Sequence, residues 1–155
     1  MSMKMRVTID SNILIRACAD VSWDHIALLK RVQTRGCGIC LDHEDEIMKE
    51  YRNKLSGVEA FEKWCRDNLE SFEWCNGKLP HRHIGRLTCL GCHEPSDHVF
   101  IAVSLNSGRI LFTEDSDMGK GPNGKIPPHD QALEYLEQEL GLTVCDCGEA
   151  NQLLE

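Results

Sequence analysis

Met5-Arg6-Val7-Thr8-Ile9-Asp10-Ser11-Asn12-Ile13-Leu14-Ile15 decides the reading of the chain. Residues 5–9 alternate towards a β-branched end and predict a strand, and Asp10-Ser11-Asn12 suits a turn or helix cap. Ile13, Leu14 and Ile15 then lead into a helix. A strand that passes straight into a helix leaves its last polar residue, Asp10, at the strand's carboxyl end.

Downstream of this unit, Ser22 is suited to cap a helix whose apolar residues Ile26, Leu29 and Val32 recur at helical spacing until Gly36. Cys37-Gly38-Ile39-Cys40-Leu41 reads as a buried second strand. Asp42 precedes an acidic first turn and a helix carrying Ile47, Met48, Tyr51 and Leu55, closed by Ser56-Gly57. Val58, Phe61, Cys65, Leu69 and Phe72, spaced 3, 4, 4 and 3 apart, predict another helix with one continuous apolar stripe. Residues 73–94 lack a clear period. Pro95-Ser96-Asp97 starts a helix whose Val99–Val103 run is apolar on nearly all sides, so deep packing is expected before Asn106-Ser107-Gly108. Arg109–Thr113 predicts a third strand, 114–128 a loop rich in Gly and Pro, Leu133, Leu136 and Leu140 a helix stopped at Gly141, and Leu142–Cys145 a last strand.

This order predicts an α/β fold with three αβα layers, a central parallel sheet and right-handed crossovers. The 155 residues suit one compact domain, with an irregular Cys/His/basic stretch at 73–94 and an acidic C-terminal part at 129–155. No apolar run approaches the roughly 18 residues of a membrane span, and Met1–Met5 leads into a strand rather than a signal segment, so a soluble cytoplasmic protein is expected. Nine cysteines without a secretory leader disfavour a disulfide scaffold.

The formal charge of -8 argues against broad electrostatic affinity for nucleic acid. Its distribution reopens the question. Residues 129–155 hold 7 of the 25 acids and no Lys or Arg, leaving 17 basic against 18 acidic side chains in the rest. A phosphate-bearing partner fits such a body if several of its acids converge on a metal.

Ligands of an open parallel sheet sit outside the carboxyl ends of its strands. Asp10 follows the first strand there, and Glu114-Asp115-Ser116-Asp117 follows the strand at 109–113. Asp97, at a helix start, lies on the same edge, and Glu50 sits beside the apolar face of Ile47 and Tyr51. Each like-charge pair at 4 Å costs about 4 kcal/mol at an effective dielectric near 20, so such a cluster calls for cations. All-oxygen ligands select hard ions, Mg²⁺ or Mn²⁺.

Four segments resemble the PIN-domain nucleases, in that family's order: Val7–Ile15, the Glu50-Tyr51 pair within Glu46–Tyr51, Ser96–Val103, and Leu111–Asp117. The resemblance implies that Asp10, Glu50, Asp97 and Asp115 are metal-binding, catalytic carboxylates, with Asp117 an additional acid. It also implies that Asn12 and Thr113 hydrogen-bond to the ligands and position them. Met118 stands where the family commonly has an aromatic. The implied activity is Mg²⁺- or Mn²⁺-dependent endoribonuclease cleavage of single-stranded or structured RNA. Paired cations held roughly 3.5–4 Å apart activate the attacking water and stabilise the leaving oxygen without a nucleophilic side chain. A toxin of a toxin–antitoxin pair, with a protein inhibitor, and a homodimer are partners the family suggests; no membrane partner is expected.

Other signals point elsewhere. Gly119-Lys120-Gly121-Pro122-Asn123-Gly124 matches a dinucleotide fingerprint by letter, but Pro122, Pro127 and Pro128 predict an extended loop with no helix at Gly124. Cys37-x-x-Cys40 and Cys89-x-x-Cys92 suggest zinc, yet the first pair falls in a buried strand, where cysteine acts as a small hydrophobe. Lys78, His81, Arg82, His83 and Arg86 are the one basic concentration and could hold phosphates. A solvated loop is the plainer reading of that stretch, and His98 beside Asp97 reads as structural. A haloacid-dehalogenase-like phosphatase would need an acid where Asn12 stands. The remaining alternatives are a catalytically weak PIN-like RNA-binding or scaffold module and a zinc-dependent interaction module.

Overall fold

A computed structural model describes residues 4–155; Met1, Ser2 and Met3, read above as part of the lead into the first strand, lie outside the described residues. Five strands, β1 (Arg6–Ile9), β2 (Gly38–Asp42), β3 (Phe72–Cys75), β4 (Ile110–Phe112) and β5 (Thr143–Cys145), form one parallel sheet in the order β3-β2-β1-β4-β5. Between them run α1 (Ser11–Cys18), α2 (Trp23–Thr34), α3 (Glu46–Lys54), α4 (Glu59–Asp67), α5 (His81–Cys89), α6 (Pro95–Leu105) and α7 (His129–Glu134), with α8 (Cys147–Leu153) last.

The chain steps outward from β1 to β2 and β3, then returns to β4 and β5. Right-handed crossovers therefore send α1–α4 to one face of the sheet and α5–α7 to the other. Packing agrees: α1 touches α2, α3 and α4, α8 closes on α2, and α6 lies across β1, β2 and β4. Covered on both sides, the central strands are buried almost throughout, which is why their sequences read as apolar runs. The strand order reverses between β1 and β4, so the crevice outside their carboxyl ends is the expected ligand position. Thr8 pairs with Leu111 and Ile9 with Phe112, which brings Asp10 abreast of Thr113 at that point.

Tyr51 explains how α3 reaches the same crevice. Its ring is fully buried among Phe61, Trp64 and Phe100, and its hydroxyl donates to the Ile9 carbonyl at the end of β1. Fully burying a side chain of this size stabilises by about 1.5–3 kcal/mol. Asp42, the last residue of β2, accepts from the Glu46 and Ile47 amides at 2.9 and 2.8 Å, which fixes the start of α3.

Several sequence expectations are corrected. The stretch 73–94 is not irregular: it holds most of β3 and all of α5. The apolar stripe from Val58 to Phe72 is not one helix, because α4 ends at Asp67, Leu69 is exposed and Phe72 opens β3. Asn68 marks the break, its side-chain amide donating to the Trp64 carbonyl at 2.8 Å. In the acidic part 129–155 the expected helix and last strand form, α7 continuing as a π-helical turn over Tyr135–Glu139 and β5 pairing with β4, and an unexpected helix, α8, begins with a capping box between Asp146 and Glu149. The loop at 114–128 holds a short 3₁₀ turn at Ser116–Met118 and no helix at Gly124. No helix among the described residues is long and apolar enough to cross a membrane.

Candidate metal centre

Asp10, Asp97 and Asp115 meet in the crevice: each offers a carboxylate oxygen, and the three atoms lie within 4.8 Å of one another. Asp10 leaves β1, Asp115 follows β4 by way of Thr113 and Glu114, and Asp97 comes from the first turn of α6 on the far face of the sheet. Asp10 and Asp97 are only 3% and 7% exposed, so solvent does little to screen them.

Hydrogen bonds hold two of the three carboxylates, Asp10 and Asp115. Thr113 Oγ1 donates to Asp10 Oδ2 at 2.7 Å and accepts the Asp115 amide at 3.1 Å. Asp115 Oδ1 accepts the Asp117 amide at 2.9 Å, which bends the loop back on itself. Asn12 Oδ1 accepts the Glu114 amide at 3.2 Å, and its Nδ2 is 3.4 Å from Asp10 Oδ2. Both residues thus act where the sequence reading put them, Thr113 on Asp10 directly and Asn12 mainly on the loop that carries Asp115. Asp97 differs. It caps nothing: α6 is preceded by Glu94 at the N-cap, and Asp97 Oδ2 is buried without a hydrogen-bond partner.

Glu50 and Asp117 stand outside the three-oxygen set but close enough to act on it. Ser11 Oγ donates to Glu50 Oε2 at 2.9 Å and lies 3.5 Å from Asp10 Oδ1, so it joins the two acids. Lys54 Nζ, 3.8 Å from Glu50 Oε1, brings the one nearby positive charge on α3. His129 Nδ1 lies 3.8 Å from Asp117 Oδ1. The sequence reading missed Ser11 and Lys54. Lys54 carried a usable signal, since it stands four residues beyond Glu50 on a predicted helix. A further brace was not legible: Glu114 Oε1 meets His25 Nε2 at 2.7 Å, and His25 Nδ1 meets Ser22 Oγ at 2.7 Å. His98 is structural as expected, its Nε2 bonded to the Cys92 carbonyl at 2.8 Å.

Electrostatics records the cost of the cluster. Burial pushes the Asp10 carboxyl up to about 6, with Asp115 and Glu50 adding to the rise and the Thr113 bond opposing it. Asp97 is raised too, first by burial and then by Asp115, Asp10, Asp117 and Glu50. Burial likewise raises the Cys92 thiol, with Asp97 and Asp115 contributing.

These residues fit a hard divalent cation. All the converging atoms are carboxylate oxygens, one of them is orphaned in the interior, and the burial and mutual repulsion that raise Asp10 and Asp97 are what a cation would offset. Among the described residues, no three thiol or imidazole ligands come comparably close, and Cys37 and Cys40 are buried within or beside β2. Comparison with protein-family models, with curated proteins and with solved structures finds no match, so the reading of this site rests on its geometry and chemistry.

Proposed function

We propose that the protein is a Mg²⁺- or Mn²⁺-dependent endoribonuclease of PIN type, hydrolysing phosphodiester bonds of RNA at the Asp10–Asp97–Asp115 centre. The observation that carries the reading is the meeting of three carboxylates within 4.8 Å, one with a buried oxygen that no protein group satisfies. Solvated surface acids do not arrange themselves so.

Asp10, Asp97 and Asp115 hold the ion. When bound, it supplies charge for the substrate phosphate and lowers the pKa of an attacking water. The chain's own groups do the rest. Thr113 holds the Asp10 carboxylate through Oδ2, and the Asp117 amide keeps Asp115 in place. Glu50, linked to Asp10 through Ser11, takes the proton from the attacking water. The α3 and α6 segments that flank the crevice exclude bulk water from Asp97.

The test is cleavage of a labelled single-stranded RNA in Mn²⁺. Asp10→Asn and Asp115→Asn should each lower the rate by at least two to three orders of magnitude, comparable to losing one preorganised electrostatic contact, while cooperative melting shows that both variants still fold. Wild-type rates in both variants would remove the activity from this centre.

A further inference from the structure

A second concavity lies between α5 and the helix formed by α7 and its π-helical continuation. It encloses about 680 Å³, with Arg82 and Arg86 on one wall and Gln131, Glu134, Tyr135 and Gln138 on the other. We propose that this cleft binds single-stranded RNA leading into the metal centre, with phosphates on Arg82 and Arg86 and bases against the Tyr135 wall. The inference rests on the nuclease reading and adds where the substrate lies.

Four observations support it. Arg82 and Arg86 are four residues apart on one helix, so their stems rise from the same face about 5–6 Å apart, and each guanidinium can take a phosphate through two hydrogen bonds. Among the described residues neither guanidinium is drawn into an ion pair, although Glu134 and Glu139 line the same cleft. The walls therefore present separate chemistries: cations for the backbone, and carboxylate and amide oxygens that accept from the amino groups of bases.

Tyr135 is held rather than free. His83 Nδ1 meets its hydroxyl at 2.6 Å, with ring centroids 6.0 Å apart, and the residue opens the π-helical turn, a local distortion frequent at functional sites. Finally, a chain of neighbouring residues links the cleft to the centre. Leu90, on its lining, precedes Gly91, where a Cβ would stand 3.2 Å from Pro128 and 3.7 Å from His129. His129 in turn reaches to 3.8 Å from Asp117. A strand lying along the two arginines would arrive at the acidic crevice.

The plainer alternative is a solvated groove between two surface helices, and salt dependence separates the two. Binding of a short fluorescein-labelled single-stranded RNA to the full chain is followed by anisotropy in EDTA, which prevents cleavage, over a range of sodium chloride concentrations. In the Arg82→Gln/Arg86→Gln double variant, affinity should fall about tenfold or more. The slope of log affinity against log salt should flatten by about 1.4, since each phosphate contact on a single strand contributes about 0.7. The charge-matched Lys63→Gln/Arg66→Gln variant on α4 should keep the wild-type slope. An unchanged slope in the α5 variant, or equal flattening in both, would overturn the cleft assignment. Cleavage that depends on Asp10 despite an unchanged slope would leave the metal centre standing and the cleft lost. Arginine-dependent binding with cleavage indifferent to Asp10→Asn would do the reverse.

Discussion

Thr113 Oγ1 donates to Asp10 Oδ2 at 2.7 Å while accepting the Asp115 amide at 3.1 Å, so one hydroxyl ties together the carboxyl ends of β1 and β4. The two strands are paired directly beneath it, Ile9 opposite Phe112. A rigid sheet thus sets the spacing of two of the three acids, and only Asp97 is brought in by helix packing.

Thr113→Val keeps the shape and removes the hydroxyl. The Asp10 carboxylate loses its one strong side-chain donor inside the protein, which should cost about 1–3 kcal/mol of stability. Removing a partner that orients a metal ligand should also weaken Mn²⁺ binding about 10–100-fold. Urea denaturation and calorimetric titration with Mn²⁺ measure the two effects; unaltered Mn²⁺ affinity would mean that Asp10 needs no such support.

Asp97→Asn tests the third ligand through stability rather than turnover. An ion that binds the folded chain alone stabilises it by about 2.7 kcal/mol at one hundred times its dissociation constant. For a chain of this size that is a rise of roughly 5–10 °C in melting temperature. The wild type should show such a rise with Mn²⁺ and lose it with EDTA, and Asp97→Asn should show at most a small part of it. Equal gains in both proteins would place the ion elsewhere.

How legible this was in the sequence follows from where each constraint resides. Val7–Ile9 and Leu111–Phe112 announced themselves because strands covered on both faces must be apolar, and the acids that follow them are at the crevice by topology alone. Phe72 misled because a helical spacing of 3 and 4 continues to it across Asn68, whose side chain ends the helix by bonding Trp64. β3 is a four-residue edge strand with little burial to give it a pattern. α5 hid behind its own exposure, with only Leu87 buried among its residues. The Asp146–Glu149 capping box was a readable start for α8, but a helix of 7 residues offers almost no period to confirm it. The His25–Glu114 contact joins residues 89 positions apart, and no local rule proposes it.

That contact makes its own prediction. His25 Nε2 holds Glu114 Oε1 at 2.7 Å, and the other Glu114 oxygen lies 3.4 Å from the Cys147 amide, so the loop before Asp115 is braced from two sides. His25→Ala should cost about 1–3 kcal/mol of stability by leaving Glu114 short of a partner in a half-buried position. In RNA cleavage it should lower kcat with little change in KM, because it loosens Asp115 without touching the arginine cleft. A change confined to KM would show that the brace serves binding instead.

Without a cation, the cluster should make the protein lose stability as pH rises, the reverse of ordinary carboxylates. An unfolded Asp titrates near 3.9, whereas Asp10 in the folded chain titrates at about 6 because it is buried beside Asp115 and Glu50. Between these values the folded state binds more protons than the unfolded state, so raising pH through the window destabilises the fold. The full penalty, on the order of 3 kcal/mol for Asp10, is in force above about pH 6, and Asp97 adds to it in the same direction. Groups that do not feel Asp10 cancel when the wild type is compared with Asp10→Asn, which has no proton to lose there, and Asp97, relieved of the Asp10 charge in the variant, shifts the comparison in the same direction. In EDTA, urea titrations from pH 4 to pH 7.5 should therefore show the wild type losing ground to the variant as pH rises. Saturating Mn²⁺ competes with those protons, so its stabilising effect should grow over the same window. A wild type that gains on Asp10→Asn with rising pH would mean that Asp10 is stabilised as an anion by the protein alone, and the case for a cation would fail.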